Sequence, residues 1–293
     1  MTKRIRTYRE LTGEDHSGLG AQVGAQHDRV RRRLASVTHT VAVMSGKGGV
    51  GKSFVTAALA TALARVGRRV GVLDADFHGP TAARMLGARA GRLDVTDEGV
   101  VPATAAGGVR VMSTDLLLPE GAPLAWREPD HDHFVWRGAL EAGTLREFLG
   151  DVRWDALDLL LVDLPPGTDR LAALAGLVTP LAGVLTVTIP SDASLRAVQR
   201  ALAAASGAGI RVLGIVENMA GYACGSCGTV APLFAGRAAD ALAEASGAPV
   251  LARIPFDAPA QASADAGRIA DTGAAWDACR LLASALLTRL DAA

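Results

Sequence analysis

The run Gly46-Lys47-Gly48-Gly49-Val50-Gly51-Lys52-Ser53 constrains this chain more than any other feature. It lies between a β-branched stretch, Val41 to Met44, and an alanine-rich one, Lys52 to about Val66. The run satisfies G-x-x-x-x-G-K-[ST], and the surrounding pattern reads strand, loop, helix. Glycines let successive backbone N–H groups turn inward around an anion, at the positive end of the helix that follows. A chance match in a chain with 33 glycines would lack that setting. The spacing therefore predicts a phosphate-binding loop in which residues Gly46, Lys47, Gly48, Gly49, Val50, Gly51, Lys52 and Ser53 surround a nucleoside triphosphate. Lys52 is expected to reach the β- and γ-phosphates and Ser53 to ligate Mg²⁺.

From Thr40 onward, short apolar runs alternate with alanine-rich helical segments, the βαβ rhythm of a mostly parallel sheet. Expected strands are Val41 to Met44, Val70 to Leu73, Val109 to Met112, Leu159 to Asp163, Gly183 to Ile189, Val212 to Val216 and Val250 to Ile254. Several are apolar on both faces, as buried parallel strands require. The expected fold class is α/β, a P-loop NTPase with a mostly parallel sheet flanked by helices on both faces. All 293 residues fit one such sheet with appendages, with 49% hydrophobic and 20% charged residues to build a core. Residues 1–36 are expected to form a flexible basic leader ending in a short helix, Asp28 to Val37, and residues 37–293 the nucleotide-binding domain. Gly87 to Gly108 and Pro119 to Gly138 break the rhythm and read as excursions beyond strand ends, where ligands of such sheets bind.

Lys47 is a second lysine that ordinary phosphate loops do not need. With it, S-G-K-G-G-V-G-K-S resembles the deviant Walker A class of the MinD/ParA, nitrogenase iron protein and arsenical-pump ATPases. The resemblance implies that Lys47 reaches across a homodimer interface to the partner's nucleotide, so that Lys47, Lys52 and Asp76 form the catalytic set. A cation arriving on dimerisation stabilises charge on the transferring phosphoryl group. By the same resemblance Asp76, in Leu73-Asp74-Ala75-Asp76, holds or activates the attacking water with Asp74 in support. Asp163, at the head of D-L-P-P-G, is the Walker B carboxylate that holds Mg²⁺ through water. Asn218, in Val216-Glu217-Asn218-Met219, resembles an adenine-reading asparagine. Its amide can both donate and accept, which favours ATP over GTP.

Tyr222-Ala223-Cys224-Gly225-Ser226-Cys227-Gly228 carries a C-x-x-C metal knuckle. Two thiolates are half a site, since zinc and [4Fe–4S] clusters both want about four ligands, and the chain has no second such pair. A symmetric dimer would supply the rest. A thioredoxin-type redox pair or inert thiols are the alternatives. From Val37 to Asp271, the motifs M-S-G-K-G-G-V-G-K-S, L-D-A-D-F-H-G-P, V-W-R-G, L-L-V-D-L-P-P-G-T, V-E-N-M and C-x-x-C-G together resemble the Mrp/ApbC-type iron-sulfur cluster carriers, relatives of the eukaryotic Nbp/Cfd scaffolds. The resemblance implies an ATPase that holds a [4Fe–4S] cluster between two subunits through Cys224 and Cys227 and passes it to apo iron-sulfur proteins. Zinc is an alternative occupant, since soft thiolates accept either metal. Two positions after D-L-P-P-G-T, relatives commonly carry an acidic residue, whereas here the run is Asp169-Arg170, so the resemblance does not carry the coupling of that segment over to this chain.

Two other function classes share the phosphate loop: a MinD/ParA-like positioning switch with a structural zinc at the dimer interface, and a small-molecule kinase. Lys and Arg total 30, as do Asp and Glu, so net charge is zero and no overall field gathers nucleic acid or anionic lipid. With no apolar run long enough to span a bilayer, the expectation is a cytoplasmic protein without nucleic-acid or membrane partners. His131 and His133 are expected to face solvent rather than a metal, and Cys279 to be a small core residue of a terminal helix, Trp276 to Leu290. Trp136-Arg137-Gly138 suggests only an interface contact.

Overall fold

The computed structural model describes residues 19–91, 93–119 and 133–292. In chain order the elements are α1 (Leu19–Leu34), β1 (Val37–Ser45), α2 (Lys52–Arg65), β2 (Val70–Asp74), a short α3 (Ala82–Met85), β3 (Asp94–Thr96), β4 (Gly99–Val101), β5 (Ala103–Thr104) and β6 (Arg110–Met112). There follow α4 (His133–Asp151), β7 (Leu157–Asp163), α5 (Asp169–Leu177), β8 (Gly183–Thr188), α6 (Asp192–Gly207), β9 (Val212–Ala223), β10 (Val230–Ala231), α7 (Ala238–Ser246), β11 (Val250–Phe256), α8 (Ala258–Asp265) and α9 (Ala274–Asp291).

The main sheet runs β10-β9-β8-β1-β7-β2-β6-β5, with β11 also paired to β9. Every pairing from β6 through β2, β7, β1, β8 and β9 to β11 is parallel; only β5 and β10 run antiparallel. Because β1 leads through α2 to β2 on one side while β7 leads through α5 to β8 on the other, the chain reverses direction at β1. This is where such sheets bind ligands. The β3–β4 hairpin stands apart as a second, two-stranded sheet.

Alternation along the buried strands builds two cores. Val41 and Val43 of β1 and Leu159 and Leu161 of β7 face one layer, with Leu59 and Leu63 of α2 and Leu282 and Leu286 of α9. Ala42, Met44, Leu160 and Val162 face the other, with Val30 of α1, Leu145 and Leu149 of α4, Leu171 of α5, Val198 of α6 and Leu242 of α7. Helix α2 is apolar nearly all round because it is covered by the sheet on one side and α9 on the other. No described helix is long and apolar enough to cross a membrane.

The expected strands are present, with β1 and β9 longer than their apolar runs. The leader helix differs from expectation. It spans Leu19–Leu34 rather than Asp28 to Val37, so Leu19 to Gly24 are helical, and Val37 already opens β1. Tertiary contacts account for the difference: Val30 is buried against α4, Arg146 Nη1 donates to Gln26 Oε1 at 2.7 Å, and Arg29 pairs with Asp151 at 2.7 Å. Cys279 is fully buried in α9, as expected of a core thiol, and burial pushes its pKa up to about 12. Residues 120–132, with Trp126 and His131, lie outside the described residues, as do residues 1–18.

Candidate functional site: a phosphate loop and an exposed thiol pair

The phosphate loop leaves β1 at Ser45 and enters α2 at Lys52. Gly51 takes the N-cap position at φ 76°, with no side-chain cap, so first-turn N–H groups are left to an incoming anion. Two glycines are required by close approach. A Cβ on Gly46 would lie 2.4 Å from the backbone carbon of Ala197 in α6, and one on Gly51 would lie 2.3 Å from Asn218 Nδ2. Within the loop, Ser45 Oγ donates to the Lys47 carbonyl at 3.0 Å. The Lys47 side chain is half-exposed.

Parallel register brings the acidic residues to the same edge. Asp163, last in β7, stands opposite Val43 of β1 and Asp74 of β2. Its carboxylate is fully buried and takes three side-chain partners: Lys52 Nζ at 2.7 Å and Thr56 Oγ1 at 2.8 Å on one oxygen, and Ser53 Oγ at 2.6 Å on the other. Lys52, Ser53 and Thr56 occupy the first turn or so of α2, which faces the end of β7. The expected Mg²⁺ ligands Ser53 and Asp163 thus touch, and this hydroxyl–carboxylate pair suits a hard cation.

Asp74 is also fully buried. Its oxygens accept from the backbone N–H groups of Asp76 at 3.2 Å and Ala82 at 3.1 Å, and from Ser113 Oγ at 3.3 Å. Burial first, then repulsion from Asp163, pushes its pKa up to about 8, only partly offset by Lys52. Asp74 thus acts as a buried buttress, and its N–H partners fix the start of the loop that carries Asp76. Asp76 itself is half-buried.

Asn218 lies midway along β9, buried, with Nδ2 donating to the Val50 carbonyl at 2.9 Å. It binds β9 to the phosphate loop. Beside it Gly51, Phe54, Met219, Phe256 and Gln261 line a small cleft next to the α2 N-terminus.

The cysteine pair stands apart from these groups. Cys224 follows directly on β9, beyond Asn218 and the left-handed Met219 at φ 53°. Between β9 and β10, a tight turn closes with Gly228 N–H donating to the Cys224 carbonyl at 2.8 Å and Cys224 N–H to the Thr229 carbonyl at 2.9 Å. Gly228 takes φ 71°, the left-handed conformation such a turn needs. Cys227 is exposed and Cys224 partly so. Thr229, whose hydroxyl lies 3.3 Å from Cys227 Sγ, holds the Cys227 thiol below the usual cysteine range, with its backbone and Cys224 adding to the effect. Among the described residues no group of three or more His, Cys, Asp or Glu is placed to hold a metal ion. Tyr222, Val230, Leu233 and Phe234 surround the turn as exposed apolar side chains.

Two contributors carry no mark in the sequence pattern read above. Thr56 was legible in principle, four residues after Lys52 and hence on the same helix face. Ser113 comes from a distant element, and no local pattern marks it.

A parallel sheet with helices on both faces, and a glycine loop joining β1 to α2 beside two strand-end aspartates, define a P-loop NTPase. The chain belongs to the ParA family described as NUBPL iron-transfer P-loop NTPase, whose sequence profile matches residues 36–284. It is 40% identical over 250 residues to an iron-sulfur cluster carrier protein of Saccharolobus solfataricus, covering 85% of this chain and 81% of that one. It is 39% identical over 230 residues to the human cytosolic Fe-S cluster assembly factor NUBP2, covering 76% and 81% respectively. Among solved structures, a nucleotide-binding protein in complex with ADP from Archaeoglobus fulgidus superposes with a TM-score of 0.72 at 37% identity, over 86% of this chain and 95% of that one.

Proposed function

We propose that this protein is an ATP-dependent iron-sulfur cluster carrier: it binds and hydrolyses ATP with Mg²⁺, holds a [4Fe–4S] cluster between two copies of itself, and transfers it to apo iron-sulfur proteins. The observation that carries the reading is the accessible Cys224/Cys227 turn at the end of the strand whose middle braces the phosphate loop. Two thiolates per chain make half of a four-ligand set, and a two-fold pair completes it. The exposed Tyr222, Val230, Leu233 and Phe234 around the turn support an interface there. The lowered Cys227 pKa favours the thiolate that a cluster requires. The names of the relatives point the same way.

For the nucleotide, Lys52 and the α2 N-terminus receive the phosphates, Ser53 and Asp163 hold Mg²⁺, and the cleft by Asn218 takes the base. Held there, Mg²⁺ would supply charge neutralisation for the phosphates. Asp76 orients water for attack on the γ-phosphate, and Lys47 of the second copy steadies the charge that develops. Reconstitution with iron and sulfide under anaerobic conditions should yield a brown dimer with about one four-iron cluster per two chains. Cys224→Ala should remain colourless. A wild-type protein that takes up no iron and sulfide, or a coloured Cys224→Ala, would sink the reading.

A further inference from the structure

The loop after β2 is fastened at three points. Asp76 N–H donates to Asp74, the Phe77 ring packs edge-on against Phe148 with centroids 5.8 Å apart, and His78 Nε2 lies 2.6 Å from Glu141 Oε1. Two of the three anchors come from α4. Glu141, Leu145 and Phe148 are spaced i, i+4 and i+7, so a single helix face meets this loop. The other Glu141 oxygen pairs with Arg170. Arg170 sits in the first turn of α5, just after the Pro165-Pro166-Gly167-Thr168 segment that follows Asp163. The Glu141 side chain is only 9% exposed. A carboxylate buried this far is tolerated only when paired, and an ionised one accepts hydrogen bonds only, so His78 is the donor.

We infer that Glu141 is a positioning residue for hydrolysis: its carboxylate fastens the loop carrying Asp76, through His78, to the segment following Asp163, through Arg170. The inference rests on the reading of Asp76 as the group that orients the attacking water. At their starts the two segments meet where Ala75 N–H donates to the Asp163 carbonyl at 2.9 Å; farther out α4 joins them, with Glu141 holding a side-chain partner in each. It also gives a role to Arg170. In this chain the arginine is matched by an acid on α4. Misplacing a reacting group by about 1 Å costs on the order of 100-fold in rate, so a loosened loop should act on kcat and leave binding alone.

The test uses full-length Glu141→Gln, which keeps shape and removes charge, Arg170→Met, and the double variant, with Asp76→Asn alongside. Each single variant should lower kcat about tenfold or more while MgADP affinity stays within about twofold of wild type. The double variant should lose no more than the worse single, as expected of two residues acting as one unit. Hydrogen exchange gives a readout without turnover: Arg170→Met should speed exchange at residues 76–79, in the other loop. Wild-type exchange there, or losses that multiply in the double variant, would overturn the link. If Asp76→Asn hydrolyses ATP at the wild-type rate, the reading of Asp76 falls, and the positioning role with it, while the exchange data still judge the link itself.

Discussion

Replacing Lys52 with methionine should destabilise the protein even when no nucleotide is present to bind. Lys52 and Asp163 form an ion pair at 2.7 Å with both side chains almost wholly buried. Removing one member of such a pair typically costs about 3–5 kcal/mol, because the remaining charge stays in low dielectric. Asp163 would retain the hydroxyls of Ser53 and Thr56, which places the expected loss at the lower end, about 3 kcal/mol. Lys52 also offsets the repulsion between Asp163 and Asp74, so the same substitution should make Asp74 hold its proton more tightly. For a domain of this size the loss corresponds to a fall in Tm of about 6 to 12 °C. The assay is thermal or urea unfolding after nucleotide and metal are stripped with EDTA and gel filtration. The decisive variant is Lys52→Met/Asp163→Asn. With both charges gone, it should recover most of the loss, giving a coupling of about 2 kcal/mol or more. A Lys52→Met protein that melts within about 1 °C of wild type, or a double variant as unstable as the sum of the singles, would refute the claim that the pair is electrostatically closed.

Other outcomes follow from separate parts of the molecule. Gly46→Ala should push the phosphate loop off α6, because the new Cβ meets the Ala197 backbone. The expected loss of MgADP affinity, read by calorimetry, is about tenfold or more for a displacement near 1 Å, and wild-type affinity would contradict it. Thr56→Val should cost about 1 to 3 kcal/mol by removing a donor from buried Asp163, measured as a shift in urea midpoint at constant slope. With iodoacetamide, Cys224 and Cys227 should be alkylated in the native protein while Cys279 is protected until unfolding. Because burial raises the Cys279 pKa to about 12, the unfolded chain loses that proton first. Stability is therefore full below about pH 8.5 and falls as pH rises towards 12, and Cys279→Ala should flatten that slope in pH-dependent melting curves.

Much of this architecture is legible in the residues because it follows from local rules. Leu159 to Val162 are apolar at every position, so they had to be a strand covered on both faces, and the aspartate after them had to stand at a strand end. The glycine loop fixed its own flanking elements. What stayed hidden depends on pairing between distant segments. Strand β9 continues through Glu217 and Asn218, polar residues that end an apolar run but are satisfied here: Glu217 by Arg253 and the Ala239 N–H, Asn218 by the loop carbonyl. Helix α1 begins in a glycine-containing stretch of poor propensity and is stabilised by packing on α4. Glu141 and Arg170 are ordinary surface types in sequence, and only the meeting of α4 with α5 makes them partners.

Strand β9 can be regarded as two beams set end to end. Its root is clamped on both flanks, by β8 as far as Glu217 and by β11, while its tip beyond Asn218 is held by β11 near Tyr222 and by the two residues of β10. Between root and tip, at Met219, the backbone turns left-handed (φ 53°) and the pairing to β11 shifts register, so the two spans meet at a joint rather than running on as one. The Cys224 turn therefore takes its position from the β10 and β11 pairings of the tip as well as from the root.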